Sequence, residues 1–249
     1  MTSNAVVLES YNDLAAACAV QQRLMPRWGS AGENRRYSAR CRQLWEVGGD
    51  CYDFIPLPGN RLAVAIADAS GKGVAAALSI SGLQSSLRTA VSFAGSDPWA
   101  VIEAVNRQVH ASSLAGRYAT LFFGVFDELT RTLRYVNAGH NPPLIFRRDG
   151  RVTRLDVGGL PIGLFSDSEY LEGIVQFQQG DLLIAYTDGI SEATSSAGEE
   201  FGVERLARIA ADNAVLCADE MVEEVFRAVD EFSSVRLSDD ATVLCYRAS

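Results

Sequence analysis

The stretch LAVAIADASGKGVAAALSISGLQSSLR, residues 62–88, contains a strand, a glycine turn and a helix in direct succession. From Leu62 to Asp68, larger apolar residues and a final acid alternate with alanines, which is the two-residue period of a strand. After the Gly71-Lys72-Gly73 turn, apolar residues recur at helical spacing through Arg88 and predict a helix. A strand that ends in an acid therefore leads directly into a helix.

The flanking sequence predicts further elements by the same signals. An amphipathic helix is expected from a capping pattern at Ser10 and Asp13 to the stop at Met25-Pro26, followed by a polar connector over residues 27–36. Strands are expected at Tyr118–Asp127, Leu133–Ala138, Pro143–Arg147, Val152–Leu155, Leu182–Asp188 and Ala241–Tyr246, and helices at Pro98–Ser112, Val203–Ala211 and Asp219–Phe232. The pattern favours one α+β domain with much antiparallel sheet.

Composition excludes several classes of protein. The 249 residues are 48% hydrophobic and carry a net charge of −9. This negative charge argues against extensive binding to the phosphate backbone of nucleic acid. No apolar run is long enough to span a membrane and no secretory signal is evident, so we expect a cytoplasmic protein that does not bind membranes. The five cysteines are scattered without a C-x-x-C pair, so we expect reduced thiols.

Four aspartate positions share a local context. Asp50, Asp68, Asp188 and the Asp239-Asp240 pair all lie at predicted strand ends or tight turns beside small residues. Any one of them alone is explained by the preference of aspartate for turns. If the fold brings them together they repel one another, and a divalent cation with hard oxygen ligands, Mn²⁺ or Mg²⁺, is the usual way to neutralise such a cluster. Two such ions about 4 Å apart could activate water for phosphoryl transfer.

Other chemistries lack their residues. The chain has two histidines and no H-E-x-x-H motif, which disfavours a zinc hydrolase. Gly71-Lys72-Gly73 lacks both the earlier glycine and the following Ser or Thr of a phosphate-binding loop. No G-x-S-x-G elbow and no dinucleotide-binding glycine pattern occur.

A series of short blocks resembles the metal-dependent protein phosphatases of the protein phosphatase 2C type, in the bacterial branch of SpoIIE and RsbU. The blocks cover most of the chain and are specific in their order rather than singly. They are QQRLMP (21–26), EVGGDCYDF (46–54), IADASGKGVAAAL (66–78), YATLFFGVFD (118–127), LRYVNAGHNPPLIF (133–146), GLPIGLF (159–165), GDLLIAYTDGISEA (180–193), FGVERL (201–206) and DDATVL (239–244).

The resemblance implies a β-sandwich of two antiparallel sheets flanked by helices, in four layers, with a two-metal site at one end. It implies that Asp68 bridges both ions and that the carbonyl of Ala69 is a ligand beside it. Asp188 and Asp239 would complete the first metal site, and Asp50 would lie next to the second metal through bound water.

The chain also departs from the eukaryotic members of the family. Ser70 stands where they have a histidine that serves as a candidate general acid, so no general acid is assigned. His140 stands where they have an aspartate that helps to hold a third metal, and no arginine lies just ahead of Gly48-Gly49-Asp50 to hold phosphate. Lys72 and His140 are therefore the candidate phosphate contacts, against the alternatives of a solvated lysine and a histidine bonded at a strand end.

These features predict a Mn²⁺- or Mg²⁺-dependent serine/threonine phosphatase. By resemblance, its substrate is a phosphorylated anti-sigma-factor antagonist in a bacterial partner-switching pathway. The alternative is a non-catalytic binding module, which would have no evident reason to keep clustered carboxylates. Residues 1–249 are expected to form one phosphatase domain, with a helix over 1–26, a core over 27–249 and a homodimer contact through the helix.

Overall fold

The computed structural model describes residues 3–26, 36–114, 116–233 and 238–248. Its helices are α1 (Ser3–Leu24), α2 (Val74–Ala94), α3 (Pro98–Ser112), α4 (Asp188–Ser191), α5 (Gly202–Asp212) and α6 (Ala218–Phe232). Its strands are β1 (Tyr37–Arg42), β2 (Asp50–Leu57), β3 (Arg61–Ala69), β4 (Ala119–Asp127), β5 (Thr132–Ala138), β6 (Leu144–Phe146), β7 (Val152–Arg154), β8 (Gly158–Gly159), β9 (Gly173–Gln176), β10 (Leu182–Tyr186) and β11 (Ala241–Arg247).

The strands form two sheets that pack face to face. One sheet has the order β1-β11-β10-β6-β7, and the other has the order β2-β3-β4-β5-β8 with β9 paired to β5. All of these pairs are antiparallel except β5 with β8. The predicted sandwich is therefore confirmed, with one short parallel pair.

Three apolar clusters separate the molecule into four layers. One cluster joins α2 and α3 to the outer face of the second sheet, one joins α5 and α6 to the outer face of the first, and the third fills the space between the sheets. The alternation in β3 explains how one strand serves two layers. Leu62, Val64 and Ile66 pack between the sheets. Ala63 and Ala67, which are small enough for helices to approach closely, pack toward the helices.

The large side chains between the sheets are almost completely buried. Ile66 and Phe122 are register partners on β3 and β4 and are 0% and 1% exposed. Burial of one such side chain contributes about 1.5–3 kcal/mol. The sandwich is thus held by an interior that also fixes the relative position of the two sheets.

The N-terminal helix begins earlier than the sequence predicts. The capping pattern at Ser10 and Asp13 indicates a start there, but α1 begins at Ser3 and runs to Leu24, because no glycine or proline interrupts the preceding residues. Its end before Met25-Pro26 is as predicted. The predicted connector over residues 27–36 lies outside the described residues apart from Arg36. None of the described helices is long and apolar enough to cross a membrane.

Candidate metal centre

Two aspartates of the second sheet lie side by side at one end of the sandwich. Asp50 begins β2 and is the register partner of Asp68 near the end of β3. Asp68 continues the face of β3 that carries Ile66, so both acids lie at the rim of the space between the sheets. Asp50 is 1% exposed, whereas Asp68 is partly exposed. We refer to this end of the sandwich as the site end.

The first sheet holds Asp50 through two threonine hydroxyls. Thr187, after β10, donates to Asp50 Oδ2 at 2.8 Å, and Thr242 of β11 donates to the same oxygen at 2.6 Å. The Thr242 N–H in turn donates to Thr187 Oγ1 at 2.9 Å. Asp50 therefore joins the ends of the two sheets, and both hydroxyls favour its ionised form.

Asp188 and Asp239 reach the site end from the other sheet. Asp188 is the first residue of α4, directly after Thr187, and Asp239 lies in the loop that leads into β11. Their charges act on Asp68, whose pKa is raised to about 7, first by burial and then by Asp188 and Asp239. Burial and the charge of Asp239 raise the pKa of Asp188 as well. The fold therefore brings the sequence-predicted aspartates within electrostatic reach of one another.

Asp50 experiences the same repulsion in a more buried setting. Its pKa is raised well above the usual value by burial, then by the charge of Asp68, and the Thr242 and Thr187 hydroxyls oppose that shift. When a cation binds to carboxylates whose pKa values are raised by mutual repulsion, that repulsion is relieved. The electrostatics of the site end therefore favour a positively charged ligand.

Asp240 has a different role from its neighbour Asp239. Its Oδ1 accepts the Leu44 N–H at 2.7 Å, and its Oδ2 accepts the Gly49 N–H at 2.6 Å. A Cβ on Gly48 would lie 2.6 Å from Asp240 Oδ2, so the tight approach requires glycine there. Asp240 thereby fixes the loop that leads into Asp50.

The same loop contacts the backbone ligand that the family resemblance implies. The Ala69 N–H donates to the Gly49 carbonyl at 2.9 Å, and a Cβ on Gly49 would lie 3.3 Å from the Ala69 carbonyl oxygen. The N-terminal helix reaches this loop as well, since Gln21 Nε2 donates to the Gly48 carbonyl at 2.7 Å. The carbonyl of Ala69 therefore lies beside the start of β2, close to the acids.

Lys72, a predicted phosphate contact, forms an ion pair at the site end. Its Nζ lies 2.5 Å from Asp239 Oδ2 and donates to the Ser238 carbonyl at 2.8 Å. Its side chain is 44% exposed and that of Asp239 is 36% exposed. The lysine is thus neither free in solvent nor directed away from the acids.

His140, the other predicted phosphate contact, lies in the interior. It is 4% exposed, and its Nδ1 lies 2.8 Å from the hydroxyl of Thr120, the register partner of Asp68 on β4. Burial lowers its pKa to about 4, so the imidazole is neutral near pH 7. The structure places His140 beneath the acids rather than at the solvent-facing surface of the site.

The donors at the site end suit a hard divalent ion. They are carboxylate and carbonyl oxygens, the ligands that Mg²⁺ and Mn²⁺ prefer, without a thiolate or an accessible imidazole among them. Among the described residues, no group of three or more His, Cys, Asp or Glu side chains is close enough to hold an ion as the side chains stand. The fit therefore rests on the chemistry of the donors and on the mutual repulsion of the acids.

Sequence reasoning missed Thr187 and Thr242, and it noted Asp240 beside Asp239 without assigning it a role. Thr187 and Thr242 hold Asp50, and Asp240 holds the glycine loop. All three lie inside the blocks GDLLIAYTDGISEA and DDATVL: Thr187 and Asp240 adjoin Asp188 and Asp239, and Thr242 follows Asp239 by three positions. A polar residue within three positions of a candidate ligand is therefore the signal that could have identified them.

Comparisons with known proteins agree with this architecture. Residues 58–249 match the sequence profile of the Stage II sporulation protein E (SpoIIE) family. The phosphoserine phosphatase RsbU of Bacillus subtilis is 25% identical over 249 residues, covering 99% of this chain and 73% of RsbU. The protein IcfG of Synechocystis sp. is 30% identical over 235 residues, but the match covers 81% of this chain and only 36% of IcfG.

Solved structures show the same fold. The SiaA-PP2C domain of Pseudomonas aeruginosa superposes with a TM-score of 0.86 at 22% identity, covering 98% of this chain and 99% of that domain. The catalytic domain of the serine/threonine phosphatase PstP, solved in complex with two manganese ions, superposes with a TM-score of 0.62 at 18% identity and covers 85% of this chain and 97% of its own. At these identities the likeness establishes the fold.

Proposed function

The chain belongs to the SpoIIE family, in the branch of metal-dependent protein phosphatases that includes RsbU, and on this basis we propose that it hydrolyses phosphoserine or phosphothreonine on a protein substrate. The observation that carries the proposal is the convergence of Asp50, Asp68, Asp188 and Asp239 from both sheets at the site end. RsbU, which carries the name of a phosphoserine phosphatase and matches nearly the whole chain, supports the same reaction.

The proposed metal ligands follow from the motifs and their placement. Asp68 would contact both ions, the carbonyl of Ala69 would accompany it, and Asp188 and Asp239 would complete the first site. Asp50, held by its two threonines, would orient water at the second site. When bound, two Mn²⁺ or Mg²⁺ ions would supply an activated water and neutralise charge on the phosphoryl oxygens. The two manganese ions of PstP support a count of two.

The protein's own residues would position the substrate around these ligands. Lys72 uses two of the three N–H donors of its ammonium group on Asp239 and the Ser238 carbonyl, which leaves one donor for a phosphoryl oxygen. His140 is buried and neutral, so we propose that it supports β4 and the acids from below instead of adding charge to the phosphate site. The Asp240 contacts with Leu44 and Gly49 would keep Asp50 in place during turnover.

The proposed substrate is a phosphorylated anti-sigma-factor antagonist in a partner-switching pathway. This proposal is supported by membership of the RsbU branch. Because bacterial transcription takes place in the cytoplasm, such a substrate would also imply a cytoplasmic enzyme. Incubation with candidate phosphorylated antagonists, followed by phosphate release, would test this narrower proposal separately from the chemistry.

The chemistry is tested by hydrolysis of p-nitrophenyl phosphate and a phosphoserine peptide with Mn²⁺, with Mg²⁺ and with EDTA. We expect turnover with at least one metal, none in EDTA, and loss of turnover in Asp239→Asn. Asp212→Asn is the matched control, because Asp212 is an exposed acid at the end of α5. Folded protein without turnover under any of these conditions would contradict the proposed phosphatase activity. If that inactive protein still binds Mn²⁺, the result would favour the non-catalytic binding module.

We also propose that residues 1–249 act as one phosphatase domain and that α1 forms a homodimer contact. The support is that the side chains between Asp13 and Val20 are partly or fully exposed on this helix. Light scattering of the full chain and of Val20→Glu measures the molecular mass directly. A dimer that dissociates in the variant is expected, and a monomeric full chain would contradict the dimer.

A further inference from the structure

The backbone around Lys72 is held in a turn that only glycine adopts easily. Gly71 and Gly73 have φ values of 94° and 75°, on either side of the lysine and between β3 and α2. Arg117 packs against Gly71, and its Nη1 donates to the Ser70 carbonyl at 2.7 Å. Lys72 is therefore carried on a constrained turn at the site end.

From this turn the ammonium group of Lys72 reaches the loop before β11. It contacts Asp239 Oδ2 at 2.5 Å and the Ser238 carbonyl at 2.8 Å. The other oxygen of Asp239, Oδ1, accepts the Asp240 N–H at 2.9 Å. Both carboxylate oxygens of Asp239 are thus already bonded, and Oδ2 is bonded to a cation.

The charge of Lys72 also acts beyond its ion pair. It attracts Asp68 and Asp188, and it acts on Asp240 and Glu192 as well. A divalent cation held by Asp68, Asp188 and Asp239 would lie close to the same ammonium group, and the two positive charges would repel one another. The ammonium and the ion therefore compete for the same negative charge.

We propose that Lys72 is an internal counter-ion of the acid cluster, which offsets part of the negative charge of the metal-free site and must release Asp239 before that carboxylate binds a metal ion. This inference rests on the proposed function, because it needs the metal site at the site end. It assigns Lys72 a role in setting metal affinity that is separate from contact with phosphate. An ordinary solvated lysine would make neither the carboxylate contact nor the carbonyl contact.

The test is Mn²⁺ affinity, measured on the full chain by the electron paramagnetic resonance signal of free Mn²⁺. Lys72→Met removes the charge with little change in length, and Lys72→Arg keeps it. We expect Lys72→Met to bind Mn²⁺ about fivefold more tightly, the size of effect that loss of one partly exposed ion pair produces. Lys72→Arg should stay within about twofold of the natural protein.

Thermal unfolding gives a second readout that does not involve turnover. In EDTA, Lys72→Met should melt about 2–4 °C lower, because the acids lose their counter-ion. Saturating Mn²⁺ should remove that difference, since the metal then neutralises the same carboxylates. A lysine that merely packs against the loop would lower the melting temperature equally in both conditions.

Asp188→Asn separates failure of this inference from failure of the metal site. If the natural protein binds Mn²⁺ and Asp188→Asn binds it weakly, the metal site stands. Equal or weaker Mn²⁺ affinity of Lys72→Met would then overturn the role of Lys72 alone. If the natural protein binds no Mn²⁺, the metal site and this inference are both wrong.

Discussion

Asp50 and Asp53 lie on the same strand and are both 1% exposed, yet only Asp53 is paired with a cation. Asp53 faces α2, where Arg88 donates to both of its carboxylate oxygens at 2.6 and 2.9 Å. Asp50 faces the site end, where it accepts threonine hydroxyls and lies beside Asp68. Neither Asp50 nor Asp68 has an ion pair with any described residue.

Asp181 repeats the first arrangement at the start of the β10 region. It is completely buried, and Arg147 Nη1 lies 2.5 Å from its Oδ2. Arginine thus neutralises the two buried acids, Asp53 and Asp181, that lie away from the site end. At the site end the acids keep much of their mutual repulsion, which costs stability in the metal-free protein and favours a cation. Burial alone does not separate the two kinds of acid, whereas the presence of an arginine partner does.

The largest expected effect is on catalysis at the unpaired acids. Asp68→Asn should lower kcat/KM on a phosphoserine peptide by at least about a thousandfold, because the carboxylate that would contact both ions is gone. The circular dichroism spectrum should stay unchanged, since asparagine has nearly the same shape. Full turnover by folded Asp68→Asn would remove Asp68 from the proposed ligands.

The next effect is on stability at the paired acid. Arg88→Ala should lower the free energy of unfolding by about 3 kcal/mol, because it leaves Asp53 buried without its cation. Urea denaturation measures this loss, and turnover by the folded variant should be unchanged. Arg107→Ala is the control, since its pair with Glu103 on α3 is exposed and should cost less than about 0.5 kcal/mol. Equal costs for the two variants would end the distinction between paired and unpaired acids.

The pH dependence of the metal-free protein should reflect the unpaired acids. Folding raises the pKa of Asp68 from 3.8 to about 7, so the folded state binds more protons than the unfolded state between these values. Stability in EDTA should therefore fall as the pH rises from about 4 to about 7. Asp68→Asn should reduce this fall by about 1–2 kcal/mol, allowing for partial exposure of the side chain.

Urea denaturation in EDTA across that pH range measures both proteins. Burial also raises the pKa values of Asp50 and Asp188, so the stability of the Asp68→Asn variant should still fall somewhat as the pH rises. Identical pH profiles for the natural protein and Asp68→Asn would contradict the assignment of this repulsion to Asp68.

The smallest effect should come from the hydroxyls that hold Asp50. Thr242→Val removes the 2.6 Å hydrogen bond to a buried carboxylate and should cost about 1 kcal/mol of stability. Thr153→Val is the control in β7, at the edge of the first sheet, and should cost less than about 0.5 kcal/mol. Thermal unfolding compares the two variants. If Thr242→Val melts no lower than Thr153→Val, the hydroxyls do not stabilise Asp50.

Local sequence patterns predicted much of the fold. The alternation over Leu62–Asp68 identified β3 and its two faces, and the boundaries of α3 at Pro98 and Ser112 match the structure. The strands β1, β2, β8 and β9 and the start of α1 were not predicted from periodicity. β1, β8 and β9 are short and partly exposed, so their pattern is weak, whereas β2 contains two aspartates and a proline that interrupt its apolar pattern. The residues before Ser10 contain no stop signal for a helix.

The partners of the acids could not be predicted from local sequence. Arg88 and Asp53 are separated by 35 positions, and Lys72 and Asp239 are separated by 167 positions. The packing of the two sheets and α2 determines whether a given acid lies beside an arginine or beside a second carboxylate. Local pattern located the aspartates, whereas tertiary structure determined their electrostatic environments.

The most direct test of a metal centre built from acids without an arginine partner is the number of Mn²⁺ ions bound per chain, measured by equilibrium dialysis at about pH 8. We predict two ions for the natural protein, a reduced number for Asp68→Asn, and two again for the Asp212→Asn control. No bound Mn²⁺ in the natural protein, or the same number in Asp68→Asn, would contradict the metal centre.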